Sequence, residues 1–160
     1  MEPVAATAEV LAYKVLNRLT DKAWVDWAYS MLVAGFETEH LLILAGMQEP
    51  LEYFEMRSLT DNVLAELRLD YSNTDEVIAN YASYLSKQGL TNEIPSFKVL
   101  KMLADVYIEL DYYAALEHFY YLYYAKEDLE YSVDQWYLNG VDRSNIDQTI
   151  TDYFQQWIKE

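Results

Sequence analysis

Residues 21–35 read DKAWVDWAYSMLVAG, and this stretch decides the fold. Trp24, Trp27, Ala28, Met31 and Leu32 recur at i, i+3, i+4, i+7 and i+8, the stripe that one face of an α-helix presents. Thr20 or Asp21 stands where a side-chain oxygen takes the first orphan amides of a helix. Gly35 stands where a residue without Cβ ends a helix in the left-handed conformation. Start, apolar face and stop agree, so the window predicts a helix.

The same punctuation continues on both sides. Val4, Ala8, Leu11, Val15 and Leu19 predict a preceding helix over 4–19. Thr38 and Gly46 bracket a short leucine-rich helix, in which Leu41, Leu42, Ile43 and Leu44 are apolar all round and are expected to be buried. Pro50 suits the first turn of another helix, and Ser58 with Asp61 predicts a break near Arg57 within 50–69. Asn73 and Glu76 resemble a capping box for a helix that carries Val77, Ile78, Tyr81, Tyr84 and Leu85 and that Gly89 ends. Pro95 opens a helix to about Leu110, with Lys101 and Asp105 one turn apart. A further helix is expected over 112–129, then a segment around 131–138 stopped by Gly140. Ser144 and Asp147 signal the last helix, where Ile146, Ile150, Phe154 and Trp157 share a face. No strict alternation of the strand kind persists anywhere. The expected fold is all-α, about eight helices in consecutive hairpins, forming a bundle or short α-solenoid within a single domain over 1–160.

Composition narrows the chemistry. The chain has 160 residues, no cysteine, and 27 acidic against 11 basic side chains, a formal net charge of −16. Without cysteine there are no disulfides, zinc–thiolate sites or thiol nucleophiles. An acidic surface repels phosphate backbones, so neither nucleic acid nor an anionic membrane is an expected partner. The start, MEPVAATAEVLAYKVL, lacks the basic and apolar regions of a signal peptide, and no apolar run reaches about 18 residues. The expected localisation is cytoplasmic.

Sixteen residues are tyrosine, and they concentrate in DVYIELDYYAALEHFYYLYYAKEDLEYSVD, residues 105–134, interleaved with carboxylates. Leu116, Phe119, Tyr120 and Tyr123 form one helical stripe expected to enter the core. Tyr113, Tyr121 and Tyr124 lie elsewhere on the circumference, near Glu117, Glu127, Asp128 and Glu130. These seven residues are the candidate partner-binding site: tyrosine offers contact area at low entropy cost, and carboxylates select a cationic partner.

Catalytic and metal signatures are incomplete or missing. Glu37 and His40 have the Glu-x-x-His spacing of a helical metal site, but His118 has Ala115 three residues before it, so the second pair is missing. No nucleophile elbow, phosphate loop, dinucleotide fingerprint or HExxH occurs. The sequence therefore predicts no catalytic residue, no cofactor and no metal.

Two resemblances follow from local patterns. LADVYIELDYYAALEHF, residues 103–119, resembles one degenerate tetratricopeptide hairpin: Leu103, Ala104 and Tyr107 match its first helix, and Ala115 and Phe119 its second. Its turn lacks the usual glycine, and no second copy follows at the family's period of about 34 residues. WAYSMLVAGFETEHLLILAGM, residues 27–47, with Tyr53, Phe54 and Glu55, is similar to small bacterial all-helical proteins of unassigned function. That likeness implies a bacterial helical protein and no particular activity.

The functional expectation is a non-enzymatic protein-interaction module, in its sharpest form an acidic inhibitor or immunity-type protein that masks a basic partner. A helical scaffold or adaptor of the tetratricopeptide-like kind and an enzyme with an unrecognised pocket remain alternatives. A tyrosine-rich face would also suit a homodimer.

Overall fold

In the computed structural model, which describes residues 1–18 and 21–160, the fold is all-α. The order is α1 (Thr7–Val15), α2 (Lys22–Val33), α3 (Glu39–Ala45), α4 (Tyr53–Glu66), α5 (Thr74–Leu90), α6 (Ser96–Glu109), a 3-10 turn (Ala114–Leu116), α7 (Glu117–Tyr131) and α8 (Ile146–Lys159). There is no strand among the described residues. Nor, among them, is any helix long and apolar enough to cross a membrane. The chain divides into two compact units, Met1–Tyr81 and Ala82–Glu160.

In the first unit the α2 stripe does what its spacing requires. Trp24, Trp27, Ala28 and Met31 are buried, and they share a core with Val10, Leu41, Leu44, Met56, Leu59, Val63 and Leu64. Asp21 accepts the Ala23 amide at 2.8 Å and so caps the helix; Leu19 and Thr20 lie outside the described residues. At the other end Gly35 has φ +102°. The Phe36 amide reaches the Met31 carbonyl at 3.1 Å and the Gly35 amide the Leu32 carbonyl at 3.0 Å, which closes the helix.

Three expectations about this unit need correction. α1 is shorter than 4–19, because Asn17 (φ 57°) turns the chain after Val15, and its fully buried positions are Val10 and Ala12. Leu42 and Ile43 are about half exposed, because a seven-residue helix packed on α2 and α4 buries one side only, that of Leu41 and Leu44. α4 does not break near Arg57: Met56, Leu59, Thr60, Val63 and Leu64 bury one continuous stripe across it. Glu52 starts that helix by accepting the Phe54 and Glu55 amides at 3.1 and 2.7 Å, while Pro50 precedes it.

α5 begins as predicted, with Asn73 accepting the Glu76 amide at 3.1 Å. It does not end at Gly89. It continues to Leu90, and Asn92 (φ 60°) supplies the left-handed stop. Gly89 serves packing instead: a Cβ there would lie 2.7 Å from the Phe154 ring.

In the second unit, the buried residues are Val99, Leu100, Leu103 and Ala104 of α6, Leu116 of the 3-10 turn, Phe119, Leu122, Ala125 and Leu129 of α7, and Ile146, Ile150 and Phe154 of α8. Pro95 opens α6, and Lys101 pairs with Asp105 at 2.8 Å. In the hairpin of residues 103–119, Leu103, Ala104, Tyr107 and Phe119 are buried, and Ala115 is exposed in the 3-10 turn. The helix expected over 112–129 starts later, because Asp111 and Tyr112 are both left-handed (φ 56° and 63°). Residues 132–145 are not helical, and the last helix is capped at Asn145 rather than by Ser144, whose hydroxyl bonds Asp142.

Candidate partner-binding site

The site lies wholly within the second unit and begins at the turn between α6 and α7. The two left-handed residues there let the Tyr113 amide reach back to the Tyr107 carbonyl at 3.1 Å. A left-handed tyrosine costs about 1 kcal/mol. The Tyr112 ring offsets part of this by meeting Tyr107 edge-on at 5.6 Å.

α7 then separates its residues by angle. At 100° per residue, Phe119, Leu122, Ala125 and Leu129 face the core and are buried. Glu117, Tyr121, Tyr124 and Asp128 fall at i, i+4, i+7 and i+11, a single stripe on the other side, and all four are half-buried. Tyr120 and Tyr123 were expected in the core; both are half-buried, since they sit on the flank between the two faces.

Ring contacts join this stripe into one aromatic surface. Tyr107 meets Tyr120 at 4.8 Å, Tyr120 meets Tyr124 at 4.8 Å, and Tyr124 meets Tyr123 at 4.9 Å. Tyr137, from the segment after α7, closes over Tyr121 and Tyr124 at 6.1 and 5.9 Å. Carboxylates edge the surface. Tyr121 donates its hydroxyl to Glu117 at 2.6 Å, and this bond, with some burial, holds the phenol above its ordinary pKa. Burial and then the charge of Asp128 do the same for Tyr137; burial and then Glu127 do so for Tyr123. At one end Lys101 already places its ammonium 5.8 Å from the Tyr123 ring centre, a cation–π contact made by the chain itself.

The segment 132–145 carries the features that sequence reasoning missed. Gln135 locks it with four hydrogen bonds. Its Nε2 donates to the carbonyls of Leu138 and, at 3.0 Å, Val141; its Oε1 accepts the amides of Tyr137 and Leu138, each at 2.9 Å. Asn145 adds a bond to the Gly140 carbonyl at 2.9 Å. Held this way, the segment presents Trp136 at 88% exposure; Tyr131 at the end of α7 and Val133 are exposed as well, at 87% and 68%. A large aromatic in water on a backbone braced by its neighbour has little backbone ordering left to lose on binding.

Of the seven predicted residues, the structure gathers Glu117, Tyr121, Tyr124 and Asp128 on one stripe, with Glu127 on its flank. Tyr113 sits in the preceding turn. Glu130 is turned away: it pairs with Lys126 at 3.2 Å, and Lys126 also holds Asp147 at 2.9 Å. Trp136, Tyr137 and Gln135 could have been suspected only from a Trp–Tyr pair set among turn formers in SVDQWYLNGVD, residues 132–142.

No family model matches the chain, and neither a curated protein nor a solved structure matches it.

Proposed function

We propose that this protein is a non-enzymatic interaction module, and that the α7 stripe with its braced Trp136 segment receives a basic protein partner. In its most specific form the reading is an inhibitor or immunity-type protein that covers a cationic surface. One observation carries it: Gln135 fixes the backbone that follows an almost fully exposed Trp136, and the adjoining Tyr137 meets tyrosines edged by Glu117, Glu127 and Asp128. Aromatic anchors on preorganised backbone dominate binding energies at interfaces. Carboxylates around them favour lysine and arginine and speed their approach at low salt. A bacterial origin and a cytoplasmic setting belong to the same proposal.

The test is affinity capture from a native lysate with wild type and with a Trp136→Ala, Tyr124→Ala double variant, at low and moderate salt. A basic protein held by wild type at low salt, weakened by added salt and lost by the variant, is the expected result. Capture that the variant matches at both salts overturns this site.

A second reading is favoured by the α6–α7 hairpin, which would belong to a helical scaffold taking peptide segments in a groove. Apolar contacts would then dominate, and binding would persist as salt rises.

A further inference from the structure

The first turn of α3 and the last turn of α4 bring together three ligand-bearing side chains that the interaction reading does not use. Glu39, His40 and Glu66 each offer one ligand atom, and the three atoms lie within 4.8 Å of one another. The Glu-x-x-His spacing singled out Glu37 as the companion of His40; the fold places Glu39 and Glu66 at the ring instead.

Glu66 grips His40 twice. Its Oε1 accepts the His40 backbone amide at 3.1 Å, and its Oε2 lies 2.6 Å from Nδ1. The first bond satisfies one of the orphan donors at the start of α3. It also fixes the carboxylate plane, so that Oε2 is held toward the imidazole. Such a backbone bond to a ligand's other oxygen is what orients carboxylates in metal sites. Glu39 stands immediately before His40 in the first turn of α3.

We propose that Glu39, His40 and Glu66 form a binding site for a divalent transition metal of zinc's character. One imidazole nitrogen and two carboxylate oxygens neutralise the dication and suit a tetrahedral centre with its fourth position open. Calcium and magnesium want six or more oxygens and are not matched by three side chains with one nitrogen. Metal–ligand bonds of about 2.0–2.2 Å set neighbouring ligand atoms roughly 3.4 Å apart in a tetrahedron. The His40–Glu66 pair must therefore open by less than about 1 Å, as the metal takes the place of the shared proton, and Glu39 must swing inward. The two elements that carry the ligands are helices packed on each other in the first unit, so the movement is confined to side chains. The open position would hold water or a donor from another molecule.

Zinc chloride titrated calorimetrically into the full chain is the test, with magnesium in excess to occupy unselective surface carboxylates. The expected result is one saturable zinc per chain. His40→Ala and Glu66→Gln should weaken it by more than the roughly 10–100-fold that an outer-shell change costs. Glu39→Gln should weaken it while leaving the metal-free Tm unchanged, which separates lost ligation from lost folding. A second readout is Co2+ added to the wild type, whose visible bands should be intense, as for a tetrahedral site, and should fade in Glu39→Gln. Zinc uptake that is unsaturable, or that survives His40→Ala undiminished, overturns the site, and the trio then only staples α3 to α4. The proposal rests on the first unit alone and is independent of the fate of the α7 face.

Discussion

Gln135→Ala isolates the brace from the side chains it presents. The substitution leaves Trp136 and Tyr137 in place but removes two donated and two accepted hydrogen bonds. A protein hydrogen bond contributes about 0.5–1.5 kcal/mol net. Gln135 is half-buried, so the released amides and carbonyls regain water and the lower figure applies to each. The clamp then stabilises the closed segment by about 2 kcal/mol, or about 30-fold in its opening equilibrium. Amide hydrogen exchange reads this directly, because a locally opening segment exchanges in proportion to its open population. The Tyr137 and Leu138 amides, both of which bond Gln135, should exchange about 30-fold faster in the variant. Core amides such as Leu122 and Phe154 should keep their rates, since both residues are fully buried within helices. Binding of a basic partner should weaken although no contact side chain has changed. Unaltered exchange at Tyr137 and Leu138 would refute the brace. Equal acceleration throughout the second unit would show that Gln135 belongs to the global fold.

Three further outcomes follow from the geometry. Trp136→Ala removes a ring that is 88% exposed, so the denaturation midpoint should stay within experimental error while partner binding falls; a lowered midpoint would mean the ring is packed. Gly89→Ala puts a Cβ 2.7 Å from the buried Phe154 ring. Overpacking of about 1–3 kcal/mol should exceed the gain of up to about 1 kcal/mol in helix propensity, lowering urea stability by about 1–2 kcal/mol. The same change in a Phe154→Leu background should be less costly, and a stabilising Gly89→Ala in wild type would contradict the packing. In alkali, burial pushes the Tyr153 phenol up to about 12, and Tyr107, Tyr121, Tyr123 and Tyr137 are also raised. Their folded pKa values lie above the unfolded value of about 10, so the stability they contribute is present below that pH and is lost as pH climbs through the folded values. Phenolate absorbance should therefore lag a free-tyrosine curve, with the wave near 12 missing in Tyr153→Phe; a single wave centred near 10 would refute it.

Which parts of the molecule were legible in its sequence follows from how far each cause lies along the chain. Asp21, Gly35 and Asn73 act on amides or carbonyls within one helical turn, and each does what its residue type predicts. Burial of Trp24, Trp27, Ala28 and Met31 follows from spacing alone. The stops at Asn17, Arg68, Asn92, Asp111 and Tyr112 were harder, because these residues accept a left-handed backbone only where the next element pulls the chain round. Gly89 shows the converse. As a glycine near a helix end it reads as a stop, yet its lack of a side chain answers to Phe154, which is remote in sequence.

The candidate site divides along the same line. That Glu117, Tyr121, Tyr124 and Asp128 share a face is arithmetic on a helix, and the sequence placed most of that stripe beforehand. Trp136 escaped because its presentation is the work of Gln135, a residue with no turn signature, bonding carbonyls three and six positions ahead. Read as the tail of a helix, the same residues would have put Trp136 on a turn of backbone already satisfied, with nothing to hold it outward. The brace changes what that tryptophan means. An exposed aromatic on a loose chain would lose on ordering much of what it gained on contact. An exposed aromatic on a segment whose amides and carbonyls are already bonded has met that cost in folding, which is why the interaction reading rests on Gln135 as much as on the rings it sets in place.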